Sequence, residues 1–160
     1  MSKINYFEWE EILDQINRIG EKILNEYYPD IIISVVRGGM VPSVILSHRL
    51  NVRKVLNINV LETVNDEVNA DKHEPIITNR IDLSEICGKK ILLVDDILGT
   101  GATIRKVKDE IKKWKPLELK TVICVVNEEN WEKYNNSNYI KEIDYIGKIV
   151  RGWVIFPWEK

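Results

Sequence analysis

The stretch Ile91-Leu92-Leu93-Val94-Asp95-Asp96-Ile97-Leu98-Gly99-Thr100-Gly101-Ala102-Thr103 decides how this chain is read. An apolar run forms a buried strand, two carboxylates stand at its end, and a short Gly/Thr loop leads into a helix. That order suits a phosphorylated sugar. The loop offers backbone N–H groups to a phosphate at a helix N-terminus. The carboxylates can accept from sugar hydroxyls or face a hydrated Mg²⁺. Adjacent side chains on an extended strand point to opposite faces, so the acid pair works only where the strand stops, and Gly99 and Gly101 are read as that stop. A polar turn capped by Thr100 or Thr103 would explain any single element. The whole run favours the phosphosugar. A dinucleotide fingerprint fits poorly, because Gly99-Thr100-Gly101 lacks its third glycine and follows carboxylates, and a P-loop lysine is absent.

On either side of this stretch, helical and strand patterns alternate. Ile12, Ile16, Ile19 and Ile23 recur at helical spacing, which predicts a helix over about 7–27 with Pro29 beyond it. Ile31-Ile32-Ile33-Ser34-Val35-Val36 is a β-branched strand, and Arg37-Gly38-Gly39 a tight turn. A helix over 41–50 and a strand over 55–60 follow, with Pro42 tolerable in the helix's first turn. Residues 61–80 are polar and aperiodic, as in a disordered loop or a functional lid. Further on, the pattern predicts a strand over 90–94, a helix over 103–114 ended by Pro116, and a strand over 121–126. Alternating strands and helices argue for an α/β, doubly wound, mostly parallel sheet, which binds ligands at the carboxyl ends of its strands. The Arg37-Gly38-Gly39 turn and the 95–103 loop both fall there.

A length of 160 residues, 44% hydrophobic and 30% charged, predicts one folded domain over 1–160 rather than a disordered chain. A net charge of −2 gives no nucleic-acid footprint. The first ten residues lack the apolar core of a signal peptide, and no apolar run approaches the ~20 residues of a membrane span. Cys87 and Cys124 lack metal-like spacing and are expected to be reduced, buried thiols of a cytoplasmic protein. His48 is expected to pack within its helix.

The 91–103 stretch resembles the type I phosphoribosyltransferases, whose motif is an apolar strand, two acids, two apolar residues and a Thr/Gly-rich loop. The resemblance extends outward. Ser34-Val35-Val36-Arg37-Gly38-Gly39-Met40-Val41-Pro42 is similar to the pyrophosphate loop of the xanthine–guanine and hypoxanthine branch. Trp153-Val154-Ile155-Phe156-Pro157-Trp158-Glu159 is similar to its base-binding segment. The resemblance implies a small hood built from the terminal segments, phosphoribosyl pyrophosphate and a nucleobase as substrates, Mg²⁺ as cofactor and a homodimer. Asp95 and Asp96 would hold the ribose hydroxyls near Mg²⁺, possibly through water. Gly99, Thr100, Gly101, Ala102 and Thr103 would cradle the 5′-phosphate, and Arg37, Gly38 and Gly39 the pyrophosphate. Arg37, Asp95 and Asp96 are the expected catalytic set. Ile97, Asn127, Trp153 and Val154 would receive the base, with Trp153 stacking on it. Segment 61–80 falls where the family has a mobile catalytic loop that excludes water.

Two positions depart from the 6-oxopurine pattern. Gly99 stands where those enzymes usually carry Asp, which handles the purine N7 proton. Asn127 stands where they usually carry Lys, which donates to the 6-oxo group. An amide can donate or accept, so the substitution leaves room for adenine or an unusual base. Two competing readings remain. A phosphoribosyl pyrophosphate-binding regulator is disfavoured by the acidic balance and the missing helix-turn-helix. A sugar-phosphate hydrolase is disfavoured because no nucleophile–base pair is evident.

Overall fold

Burial along the first helix follows the isoleucine stripe. Helix α1 (Trp9–Glu26) buries Ile12, Ile16, Ile19 and Ile23, while Leu13 and Leu24 face out. The computed structural model describes residues 3–63, 72–79 and 82–160. Its central sheet has the order β4-β3-β2-β5-β6-β7, formed by β2 (Ile31–Val36), β3 (Val55–Thr63), β4 (Lys72–Ile77), β5 (Lys90–Leu98), β6 (Glu118–Asn127) and β7 (Tyr145–Val150). All neighbours are parallel except the antiparallel pair β3–β4. The short strands β1 (Ile4–Tyr6) and β8 (Trp153–Ile155) pair in parallel as a separate two-stranded sheet. This is the hood expected from the terminal segments.

The sheet is covered on both faces, so its strands are apolar on both. In β2 and β5, Ile32, Leu92 and Val94 belong to the core under α1, while Ile31, Ile33, Ile91 and Leu93 belong to the core under α3 (Ala102–Lys113). Helix α2 (Met40–Arg49) lies on the α1 side, where Leu46 is fully buried. Trp131 of α4 (Glu128–Tyr134) joins the α3 side. Full burial of each such side chain contributes about 1.5–3 kcal/mol.

From β2 the chain moves outward to β3 and β4, then crosses back to place β5, β6 and β7 on β2's other edge. The topological switch point is therefore between β2 and β5, and crevices in such sheets open there. Their pairing ends at Ser34↔Val94, while β5 continues along β6 as far as Leu98↔Val126.

Several expectations need correction. Strand β5 does not end before the acids: Asp95 and Asp96 lie inside it, because the β6 ladder continues past them. The segment 61–80 is not irregular throughout. Strand β3 reaches Thr63 and β4 returns from Lys72, and the stretch 64–71 lies outside the described residues, as do 80 and 81. Polar composition hid the end of β3 and the edge strand β4, which pair only with each other there. Cys87 is exposed, and only Cys124 is buried. His48 is exposed on α2, whose buried face is carried by Pro42, Ser43 and Leu46. Among the described residues, no helix is long and apolar enough to cross a membrane.

Candidate active site

A cleft of about 580 Å³ opens at the switch point. It is floored by the ends of β2 and β5, and it gathers most of the residues that the sequence singled out: Arg37, Gly38, Asp95, Asp96, Ile97, Gly99, Thr100, Gly101, Thr103, Asn127, Trp153 and Val154. Gly39 and Ala102 are not on its wall. Gly39 sits behind it, where a Cβ would lie 2.5 Å from the Val35 carbonyl oxygen and 2.6 Å from that of Val94. The Ala102 N–H donates to Thr100 Oγ1 at 3.2 Å.

The acid pair is buried, with Asp95 at 7% and Asp96 at 8% exposure. The Asp96 N–H donates to Asp95 Oδ1 at 2.9 Å, which fixes the first carboxylate. Burial pushes the Asp96 carboxyl up from 3.8 to about 6; a hydrogen bond with Asp95 opposes this, and the Glu159 charge adds to it. Gly38 packs directly on Asp96, because a Cβ there would overlap its carboxylate. The glycine that follows Arg37 and the second acid thus form one close contact. The Val36–Arg37 peptide is cis, and Arg37 is exposed at the mouth.

The loop after β5 closes with Gly101 at φ +84°, a left-handed conformation that caps α3. Glycine is required there twice over, because a Cβ would also sit 2.6 Å from the Trp131 ring. The loop leads into the N-terminus of a twelve-residue helix, the end of a helix that favours negative charge.

At the opposite end, the hood presents Trp153 and Val154. The Trp153 N–H donates to the Lys3 carbonyl at 2.8 Å, and the Phe7 N–H to the Ile155 carbonyl at 3.0 Å. In a parallel ladder, this register turns the Val154 N–H and C=O away from β1. The side chain of Asn127 is committed elsewhere. Its Nδ2 donates to the Gly152 carbonyl at 2.7 Å, and its Oδ1 accepts from the Asn130 N–H at 3.2 Å. Asn127 therefore caps α4 and pins the residue before Trp153.

Sequence reading missed Glu159, Phe156, Asn59, Thr78 and Asn130 on the cleft wall. Glu159 lay within a quoted motif, and only its closeness to Asp96 reveals its electrostatic role. Asn59 and Thr78 carry no local signal. They meet because the Thr78 N–H donates to the Asn59 carbonyl at 2.9 Å across the end of the β3–β4 hairpin.

The family model for the phosphoribosyl transferase domain matches residues 4–159. The chain belongs to the phosphoribosyltransferase family. Enzymes of this family are pentosyl-transferring glycosyltransferases. A purine phosphoribosyltransferase structure from Pyrococcus horikoshii is 30% identical, with a TM-score of 0.78 over 98% of this chain and 94% of that one. The hypoxanthine-guanine phosphoribosyltransferase of Schizosaccharomyces pombe is 27% identical over 96% of this chain and 88% of its own. The xanthine-guanine enzyme of Idiomarina loihiensis is 25% identical over 96% and 86%. In this phosphoribosyltransferase, the cleft lies where the α/β topology places ligands, at the carboxyl ends of β2 and β5.

Among the described residues, no three His, Cys, Asp or Glu side chains cluster to enclose a metal ion. Two adjacent carboxylates with a third acid on the same cleft wall suit a different arrangement. Mg²⁺ keeps several waters and is commonly bound by one or two carboxylates together with substrate phosphates. Asp95 and Asp96 fit that part.

Proposed function

We propose that this chain transfers the 5-phosphoribosyl group from phosphoribosyl pyrophosphate to a purine base in salvage, releasing pyrophosphate. The observation that carries the reading is the meeting, in one cleft, of the Arg37-Gly38 turn, the buried acids, the loop at the start of α3 and the hood residues Trp153 and Val154. Each corresponds to one part of the two substrates.

Asp95 and Asp96 accept from the ribose hydroxyls, and the loop N–H groups hold the 5′-phosphate. Arg37 meets the pyrophosphate with its planar fork of donors. Trp153 lies against the base, and the Val154 N–H and C=O meet its edge. In the reaction a ring nitrogen of the base bonds to ribose C1 as the C1–O bond to pyrophosphate breaks; the electron pair leaves with the pyrophosphate, and the proton of the base's ring N–H passes to solvent. Positive charge develops on the ribose, and negative charge on the leaving group. Arg37 is placed to stabilise the latter. The chain's main contribution is to orient two bound molecules. Asp95 and Asp96 would hold Mg²⁺, which would supply charge neutralisation for the departing pyrophosphate.

Gly99 supplies no acid or base, and Asn127 is engaged with backbone groups. The base is therefore met mainly by backbone and an aromatic face, and the 6-oxopurine set extends to adenine or an unusual base. The working form is a cytoplasmic homodimer. Support for self-association comes from exposed apolar residues: Met40 and Val44, one turn apart on α2, and the cross-strand pair Leu61 and Ile76. The deciding experiment is pyrophosphate release with Mg²⁺ and phosphoribosyl pyrophosphate across adenine, guanine, hypoxanthine and xanthine. Turnover with one purine supports the reading. Binding of the phosphosugar without turnover on any base would replace it with a regulator.

A further inference from the structure

Behind the phosphate loop lies a polar cluster that none of the expected roles uses. Asn135, just past α4, donates from Nδ2 to the Thr100 carbonyl at 2.9 Å. Arg105, in the first turn of α3, reaches the same carbonyl from Nη1 at 3.4 Å. The two are tied together, since Arg105 Nη2 donates to Asn135 Oδ1 at 2.6 Å. Glu142 grips the guanidinium from the far side, with its two oxygens 3.0 and 3.1 Å from Nε and Nη2. The guanidinium also lies over the Trp131 ring, 5.0 Å from its centroid, and that ring abuts Gly101.

The consequence follows from the planarity of the peptide bond. In a trans peptide the C=O and N–H point in opposite directions. The Thr100–Gly101 peptide has its carbonyl held backwards by Asn135 and Arg105. Its N–H, on Gly101, is therefore aimed the other way, and Gly101 is on the cleft wall. A loop free to flip this peptide would present a carbonyl oxygen to the phosphate instead of a donor. Arg105 is charge-paired with Glu142, so it acts by geometry rather than as a free cation for the ligand.

We propose that Asn135 and Arg105 are positioning residues for the phosphoribosyl donor: by clasping the Thr100 carbonyl, they fix the Gly101 N–H toward the 5′-phosphate. This inference rests on the phosphosugar reading of the cleft. Its test is Asn135→Asp, which keeps the shape and the pairing with Arg105 but replaces the donor to Thr100 with an oxygen.

Binding of phosphoribosyl pyrophosphate with Mg²⁺ by calorimetry, steady-state constants for donor and base, and the thermal midpoint would be measured on the full chain. The expected result is donor affinity about ten-fold weaker, because a donor to a part-buried carbonyl is lost and an acceptor faces it. The base KM should stay within about two-fold, since the hood is untouched. If Asn135→Asp does not fold, Arg105→Met carries the same test, with donor binding expected to be about five-fold weaker. Unchanged donor affinity in a folded variant would overturn the clasp, as would an equal loss in donor and base constants, which marks a merely structural role. Wild-type protein that binds no phosphoribosyl pyrophosphate would overturn the reading of the cleft and the clasp with it.

Discussion

Asp96→Asn should make the protein more stable and the enzyme worse, with a pH signature that separates the cause from generic repacking. The Asp96 carboxyl is pushed from 3.8 up to about 6, first by burial and further by the Glu159 charge. A shift of about two units corresponds to about 3 kcal/mol of penalty on the ionised form. The folded state then binds a proton more readily than the unfolded chain. This group's contribution is most favourable below about pH 4, falls as pH rises to about 6, and stays low above that. An amide has no charge to desolvate, although it still needs hydrogen-bond partners. The expected gain at pH 7.5 is therefore about 1–3 kcal/mol, or roughly 2–10 °C in Tm for a chain of this size.

The assay is thermal unfolding of both proteins at pH 4, 5, 6 and 7.5. The advantage of Asp96→Asn should be near zero at pH 4 and complete above pH 6. A variant less stable at pH 7.5, or an advantage of constant size from pH 4 to 7.5, would refute the claim that a buried charge is held here at the expense of stability. Turnover should move the opposite way, falling about 10- to 100-fold with the loss of a charged acceptor for a ribose hydroxyl.

Other outcomes follow from the same geometry. Asp95→Asn combined with Asp96→Asn should abolish pyrophosphate release, and unchanged kinetics would remove the acids from the mechanism. For the wild type, kcat/KM for the donor should fall as pH drops through about 6, where Asp96 takes up its proton; a profile flat from pH 5 to 8 would contradict that. Gly38→Ala would drive a methyl group into the Asp96 carboxylate, and donor KM should rise about ten-fold with a destabilisation of about 1–3 kcal/mol, both readable from kinetics and unfolding curves. Trp153→Ala should raise the base KM by about 5- to 100-fold through lost stacking while sparing the donor KM; equal changes in both would show that Trp153 only supports the fold.

The parts of this molecule that were legible in sequence are those that obey short-range rules. The isoleucine stripe of α1 and the β-branched run of β2 bury residues at the period of their element. The 91–103 stretch keeps strand, acids, loop and helix in consecutive order, so its reading needed no tertiary knowledge. The short strand β1 escaped notice because Ile4–Tyr6 acquires its partner only when β8 arrives from the other end of the chain. The acids' position inside β5 was misread for a related reason: it is the β6 ladder, not local propensity, that carries the strand to Leu98. Asn135 was invisible, because nothing near it in sequence indicates a bond to a carbonyl 35 residues earlier.

Asn127 lines the cleft, yet its side chain is engaged by the chain's own backbone. Taken as a replacement for a base-reading lysine, it suggests an altered side-chain contact to the base. In the fold, its amide is held by the Gly152 carbonyl and the Asn130 N–H, one hydrogen bond to each. Asn127 therefore joins the end of β6 to the residue before Trp153. On the proposed function, selection of the base would then fall to groups with little freedom: the face of Trp153, which is pinned by its N–H to Lys3, and the Val154 peptide, which the β1 ladder turns outward. A peptide N–H beside a C=O offers one donor and one acceptor, and it does so whichever side chain stands at 154. On that proposal, the site would recognise a donor–acceptor edge on a flat ring without a cation to demand an oxo group. Asn127→Lys would then not restore a 6-oxopurine contact. It would free Gly152 and uncap α4, so its expected signature is a raised KM for every base together with a lower Tm. A selective gain for guanine or hypoxanthine at unchanged Tm would show instead that position 127 reads the base directly.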